Sequence, residues 1–414
     1  MKPFPHQIEL ADKALKILRK YLLVYLTMEE RTGKTMISLM VANQSKAKNI
    51  VILTNKQALE KRSFHDPLDG YIGKQHSKLK NSLGGIWKDK GKTFTLINYH
   101  SIHKLEIKEP IDLVILDESH LYVSSFPSKS STWKKVKKLT KRAPIIYMSA
   151  TPSATSYAQL YHQMALSDWS PYRNYPNFKT WFSKYGKIRY TKINDRLQPI
   201  YDDVSKKAFD DIKHLCIAKT RKQIGFTQEP KDVIHYVEPS TPTKDIYNRL
   251  IKGRYLKEYK YMADSKSKLR LALHQIEGGT LKLNDTCHTF LPAHDKIKYI
   301  LDTWGDTEDI VIFYEFKAEL ELLKDYFKYA TLLQSTSYST GIDLHKYDTS
   351  IIYSMNDYPA HYVQRRARLC HINRKTPIQV HYLLTKNGVS HQKYNTVAVK
   401  RKKYGDPYFE ITLL

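Results

Sequence analysis

The chain has 414 residues, with 68 Lys and Arg against 41 Asp and Glu and a formal net charge of +27. That length accommodates two or three domains with proper cores, and no apolar run of about twenty residues offers a membrane span. So basic a balance is far from that of most metabolic enzymes and favours a polyanion, with acidic membrane surfaces as the competing partner.

Pro5 stands at the first turn of an amphipathic helix with Ile8, Ala11, Leu15 and Leu18 on one face. Residues 22–26 then read as a buried strand, followed by Gly33-Lys34-Thr35 and an apolar helix from Met36 to Met40. Strand, loop, Gly-Lys-Thr and helix is the context of a phosphate-binding loop. Its backbone N–H groups would face phosphates, Lys34 would reach the β/γ oxygens, and Thr35 would hold Mg²⁺. Strands follow at 51–54, 94–97, 111–116 and 144–148, separated by helical or loop segments in the pattern of a doubly wound parallel sheet.

Residues 111–116 deliver Asp117-Glu118-Ser119-His120 at a carboxyl end, where open α/β sheets place ligands. Asp117 is expected to hold Mg²⁺ through water and Glu118 to polarise the attacking water. A solvated turn is the alternative for an Asp-Glu pair taken alone. Ser149-Ala150-Thr151-Pro152 ends the next strand, Pro152 turning the chain out so that two hydroxyls can sense the carboxylates.

Between about 156 and 288 aromatic and basic residues alternate without clear β runs, which predicts a mostly helical insertion with one strand at 232–237 and a helix at 266–276. A second α/β unit begins near Ala293, with strands at 309–314, 350–353 and 378–383 and a helix at 316–329. Thr340-Gly341-Ile342-Asp343-Leu344 reads as a tight turn ending in a carboxylate. Gln364-Arg365-Arg366-Ala367-Arg368 lies on a helix starting after Pro359. Arg365 and Arg368, three apart, share a face suited to a phosphate in transfer. A basic surface helix is the local alternative.

Cys216, Cys287 and Cys370 lie far apart with no CxxC, so neither a disulfide framework nor a zinc site is expected. A reducing, cytoplasmic location fits, and no secretory signal opens the chain. The basic runs at 133–138 and 400–403 are candidate phosphate contacts or solvated faces.

In their joint order these motifs resemble those of superfamily-two helicase ATPases, and most closely the Swi/Snf-type branch with its short phage and prokaryotic members. Phe4-Pro5-His6-Gln7 resembles the adenine-reading Gln motif, and Glu29 to Thr35 resembles motif I. Asp117 to His120 is similar to motif II, Ser149 to Pro152 to motif III, Gly341 to Leu344 to motif V, and Gln364 to Arg368 to motif VI. Residues 97–102 resemble the family's Asn-Tyr signature, and Thr220-Arg221-Lys222 with Pro230-Lys231-Asp232-Val233 its connector.

The resemblance implies an α/β fold of two RecA-like parallel-sheet lobes, at 1–160 and 291–414, with a helical insertion and linker at 161–290. It implies ATP and Mg²⁺ as cofactors and DNA, duplex or branched, as partner. Gln7, Glu30, Arg31, Thr32, Gly33, Lys34, Thr35, Asp117, Gly341 and Asp343 would bind nucleotide. Glu118, Arg365 and Arg368 would be catalytic, and His120, Ser149 and Thr151 would couple hydrolysis to motion. Two positions depart from the pattern: Met28 replaces the first loop glycine, and His371 replaces a further arginine for which Arg374 could substitute. RNA as substrate and a nucleic-acid-binding module with a vestigial ATPase are the alternative functions.

Overall fold

The computed structural model describes residues 2–80, 82–105, 109–193, 196–335 and 344–410. The chain divides into two compact units, Met1–Gly225 with Lys400–Leu414, and Phe226–Val399.

In the first unit the strands are β1 (Leu23–Leu26), β2 (Asn49–Thr54), β3 (Ser77–Lys78), β4 (Gly85–Asp89), β5 (Lys92–Asn98), β6 (Leu113–Asp117), β7 (Ile145–Met148), β8 (Gly186–Ile193), β9 (Arg196–Val204) and β10 (Cys216–Ile217). All but β8 and β9 form one sheet in the order β10-β1-β7-β6-β2-β5-β4-β3. The strands from β10 to β5 run parallel, and β4 and β3 continue antiparallel at the edge. Strands covered on both faces have no polar side, which is why β1 and β7 read as unbroken apolar runs.

Successive residues point to opposite faces and so build two cores. Tyr25, Leu53, Leu116 and Tyr147 pack on one side, and Leu26, Ile52, Ile115 and Met148 on the other. The register sets the functional edge. Leu26 and Asp117 both stand opposite Met148, so β1, β7 and β6 end level with one another.

The second unit contains β11 (Lys231–Tyr236), β12 (Tyr255–Leu256), β13 (Tyr261–Met262), β14 (Thr280–Lys282), β15 (His288–Phe290), β16 (Ile310–Tyr314), β17 (Thr331–Gln334), β18 (Thr349–Ile352) and β19 (Gln379–Leu384). Its main sheet is all parallel in the order β11-β19-β18-β16-β17. The molecule therefore has the expected α/β class, with a parallel-sheet lobe in each unit. Among the described residues no helix is long and apolar enough to cross a membrane.

The stretch at 161–290 differs from the helical insertion expected. It does hold helices Phe178–Tyr185, Thr241–Gly253 and Lys266–Glu277, but it also carries the antiparallel hairpin β8–β9. The same stretch contributes β10 to the first sheet and β11 to the second. The unit boundary falls within it, between Gly225 and Phe226. The hairpin was not legible because most of its residues are exposed, so no apolar run or apolar–polar alternation marks it.

Candidate active site

Helix Pro5–Tyr21 begins with Pro at its first turn, and the Phe4 backbone N–H donates to Gln7 Oε1 at 2.9 Å. This turns Gln7 toward the loop after β1. Gly33 has φ +89°, a conformation that favours glycine, and a Cβ there would fall 2.1 Å from Gln7 Nε2 and displace that amide. Arg31 is also left-handed, with φ 64°. These two turns bring the chain into the eleven-residue helix Lys34–Gln44, whose first turn carries no acidic residue and whose N–H groups form an anion-binding end.

Lys34 folds back on the loop, its ammonium donating to the Met28 and Glu29 carbonyls at 2.9 Å each. Met28 shows why the missing glycine is tolerated: its side chain is buried with Leu26 and Met148 in the core, while its carbonyl receives Lys34. Thr32 Oγ1 donates to the Glu29 carbonyl at 2.7 Å and closes the loop on itself.

The acidic residues of this loop are held from the segment after β10. The Arg221 backbone N–H donates to Glu29 Oε2 at 2.6 Å, and its guanidinium lies 3.8 Å from Glu29 and 3.7 Å from Glu30. Arg221 belongs to the connector-like motif, but nothing local in the sequence pairs it with the loop.

At the end of β6, Thr54 Oγ1 donates to Asp117 Oδ2 at 2.7 Å and Tyr99 OH donates to the Asp117 carbonyl at 2.7 Å. Tyr99 stacks on Tyr122 at 4.2 Å between centroids. Burial and the neighbouring Asp117 and Glu118 carboxylates push the Tyr122 phenol up to about 12, so it remains a neutral donor. Glu118 sits at φ 46° and ψ 43°, left-handed for a residue with a side chain, a conformation concentrated at functional turns.

His120 joins the second and third motifs. Its Nδ1 lies 2.7 Å from Ser149 Oγ and 3.4 Å from Glu118 Oε2, and its Nε2 lies 3.2 Å from Thr151 Oγ1. The Thr151 backbone N–H donates to Ser149 Oγ at 2.9 Å. A second link was not foreseen. Gln163 Oε1 accepts from Tyr25 OH at 2.6 Å and Ser119 Oγ at 2.9 Å, while its Nε2 donates to the Pro152 carbonyl at 2.8 Å.

The structure thus gathers Gln7, Glu30, Arg31, Thr32, Gly33, Lys34, Thr35, Asp117, Glu118, His120, Ser149 and Thr151 around the carboxyl ends of β1, β7 and β6 in the first unit. A Thr35 hydroxyl and an Asp117 carboxylate are hard oxygen donors of the kind Mg²⁺ takes, and the Lys34 ammonium at a helix start suits phosphate. The residues present fit Mg·ATP.

Arg365 and Arg368 lie in the second unit, on helix Pro359–Arg368. Arg365 is only 2% exposed, and its three guanidinium nitrogens have no hydrogen-bond partner among the described residues. Burial pulls its pKa below the ordinary arginine value, opposed by Tyr382, Glu315 and Tyr362. The surface-helix alternative therefore does not describe Arg365.

Arg366 is a frame residue, paired with Asp232 and donating to the Pro230 carbonyl and, at 3.0 Å, to Tyr362 OH. Arg374 does not stand in for the missing arginine. It pairs with Asp348 and donates to the carbonyls of His345 at 2.7 Å, Leu369 at 3.0 Å and Thr376 at 3.1 Å. Gly341 and Asp343 lie outside the described residues.

Residues 1–154 match the family described as "Type III restriction enzyme, res subunit". A solved structure from Sulfolobus solfataricus, a SWI2/SNF2 ATPase core in complex with dsDNA, is similar at 15% identity over 98% of this chain and 92% of that one, with a TM-score of 0.44. No curated protein matches the sequence. The resemblance to superfamily-two helicase ATPases carried by the motifs is thus met by a family-level match over the residues that build the first sheet's loop, acidic pair and hydroxyl pair.

Proposed function

We propose that the chain is an ATP-dependent DNA helicase or translocase. The observation that carries this reading is the level ending of β1, β7 and β6, which brings the loop after β1, the Asp117-Glu118 pair and the Ser149/Thr151 pair to one sheet edge, with His120 between Glu118 and the two hydroxyls. Lys34 and the N–H groups of its helix hold the phosphates, and Thr35 and Asp117 hold Mg²⁺, which neutralises charge on the phosphate oxygens. Gln7 reads the adenine edge. Glu118 orients the attacking water, with its carboxylate beside the His120 ring. Arg365 and Arg368, with Gly341 and Asp343, are assigned to the nucleotide from the second unit.

His120, Ser149 and Thr151 are the coupling group, because a shift in Glu118 alters a ring whose two nitrogens face the two hydroxyls. The net charge of +27 supplies the attraction for a polyanion. The restriction-enzyme description of the matching family and the Swi/Snf-like connector favour DNA over RNA, in a cytoplasmic setting. Hydrolysis measured with no nucleic acid, single-stranded, duplex and branched DNA, and RNA tests the reading. Stimulation by DNA is expected, stimulation by RNA alone would replace the substrate, and no hydrolysis under any condition would leave only a binding module.

A further inference from the structure

Hairpin β8–β9 is a sheet of its own, separate from both main sheets. Two-stranded hairpins are marginal alone and need an anchor, and this one is rooted firmly. Tyr201 packs edge-on against Phe178 and Phe182, with centroids 5.9 and 5.2 Å away. Gly186 at its base is in such close contact with the Phe182 ring that a Cβ would fall 2.4 Å from it. Ser156, four residues after Pro152, donates to the Asp202 carbonyl at 2.6 Å, so the hairpin base is bonded to the segment that follows the Ser/Thr pair.

Beyond that root the hairpin spends apolar surface on nothing. Tyr190 pairs with Pro199 and Lys192 with Leu197, and cross-strand partners share a face. Tyr190 is 64% exposed and Leu197 71%, and Ile188 at the adjoining bulge is 47%. One face of the arm therefore presents an aromatic ring, a proline and a leucine beside a lysine. On the other face Arg189 holds Asp202 through bonds of 2.6 and 2.7 Å, which masks that carboxylate.

Resting on the reading as a DNA motor, the geometry points to this face as a base-contacting element that wedges against the strands of a DNA junction. Aromatic rings stack on bases irrespective of sequence, and apolar side chains unstack steps where they insert. Neighbouring cations meet the flanking phosphates: Lys187 and Arg196 are both exposed. A protein partner would use the same apolar face but would need no base.

The test uses the full chain and three variants at exposed positions, Tyr190→Ala, Tyr190→Ala with Leu197→Ala, and Tyr190→Phe. Each is assayed for ATPase activity at saturating DNA, ATP-driven displacement of a third strand from intact duplex, and unwinding of a fork carrying 2-aminopurine at the junction. The wild type should raise 2-aminopurine fluorescence on binding. The double variant should lose that signal and at least about tenfold in unwinding, a factor within the reach of one stacked base. Its ATPase and triplex displacement should stay within about twofold, and Tyr190→Phe should behave as wild type.

Unwinding unchanged in the double variant would overturn the inference, as would a parallel loss of ATPase, which would mean a structural role. A wild type that hydrolyses ATP with DNA and displaces triplex but never disturbs the junction base would sink the wedge and leave the motor standing. A wild type indifferent to DNA would overturn both.

Discussion

Lys34 turns its ammonium onto the Met28 and Glu29 carbonyls, and that posture argues for a side chain poised to exchange backbone oxygens for phosphate oxygens. Lys34→Ala should abolish turnover while DNA binding persists, read by steady-state hydrolysis beside a binding isotherm. Glu118→Gln should bind Mg·ATP but hydrolyse it orders of magnitude more slowly in a single-turnover assay, whereas Asp117→Asn should weaken nucleotide retention through the metal. Equal phenotypes would refute that division of roles.

Three buried or half-buried histidines make stability depend on pH. His162, His361 and His381 are each pulled down to about 4, burial being the largest cause in all three. The unfolded chain binds these protons near 6.5, so at pH 5 it holds more of them than the folded chain does. Stability should be fully present above about 6.5 and fall as pH drops toward 4. The urea midpoint should therefore be lower at pH 5.0 than at 7.5, and His162→Gln, which keeps a donor for the Ser125 carbonyl, should narrow the difference.

At the scale of elements, legibility followed burial. β1, β6 and β7 were readable because strands covered on both faces must be apolar throughout, and the motif residues follow at their ends. Helix Pro359–Arg368 was readable from its proline, but the fates of its arginines were not. Spacing put Arg365 and Arg368 on one face. It could not say that Arg366 would be claimed by Asp232, 134 positions earlier, or that Arg374 would be claimed by Asp348. Likewise three of the partners of Gln163 lie 138, 44 and 11 residues away, and no local pattern announces them.

These fates separate Arg365 from Arg366 by experiment. Arg365→Ala should cut DNA-stimulated hydrolysis by about 10³-fold or more with little loss of DNA binding, and Arg365→Lys should not restore it, because a planar fork and a point charge are not interchangeable. Arg366→Ala should instead cost stability, about 3 kcal/mol, by leaving a largely buried Asp232 carboxylate without its ion pair. Turnover at saturating DNA and urea unfolding, run on each variant, decide the assignments. Recovered turnover in Arg365→Ala at saturating DNA would move that residue from hydrolysis to strand binding.

For the whole molecule the question is what a net charge of +27 does. Part of it is internal. Arg221 holds the loop's glutamates, Lys92 donates to the Ser45 and Ala47 carbonyls near the end of helix Lys34–Gln44, and Lys296 is buried against the Tyr353 carbonyl. Much of the remainder is solvated, including Lys134, Lys135 and Lys138 on helix Ser131–Thr140, whose buried residues are Trp133, Val136, Leu139 and Thr140. A field from spread surface charge raises the encounter rate with any polyanion, but only cations seated on phosphates release counterions. The two contributions separate in a salt titration. For duplex DNA the logarithm of affinity should fall with the logarithm of salt at about −0.9 per phosphate neutralised. A slope of several units is expected if the basic surface grips the backbone, and replacing a contacting lysine should reduce it by about one. Lys134→Ala with Lys135→Ala asks whether the exposed face of that helix is part of the grip. An unchanged slope in that variant, beside a steep one in the wild type, would place the grip elsewhere on the surface. A slope near zero in the wild type would mean that the charge serves solubility or another partner, and would remove the electrostatic argument for DNA altogether.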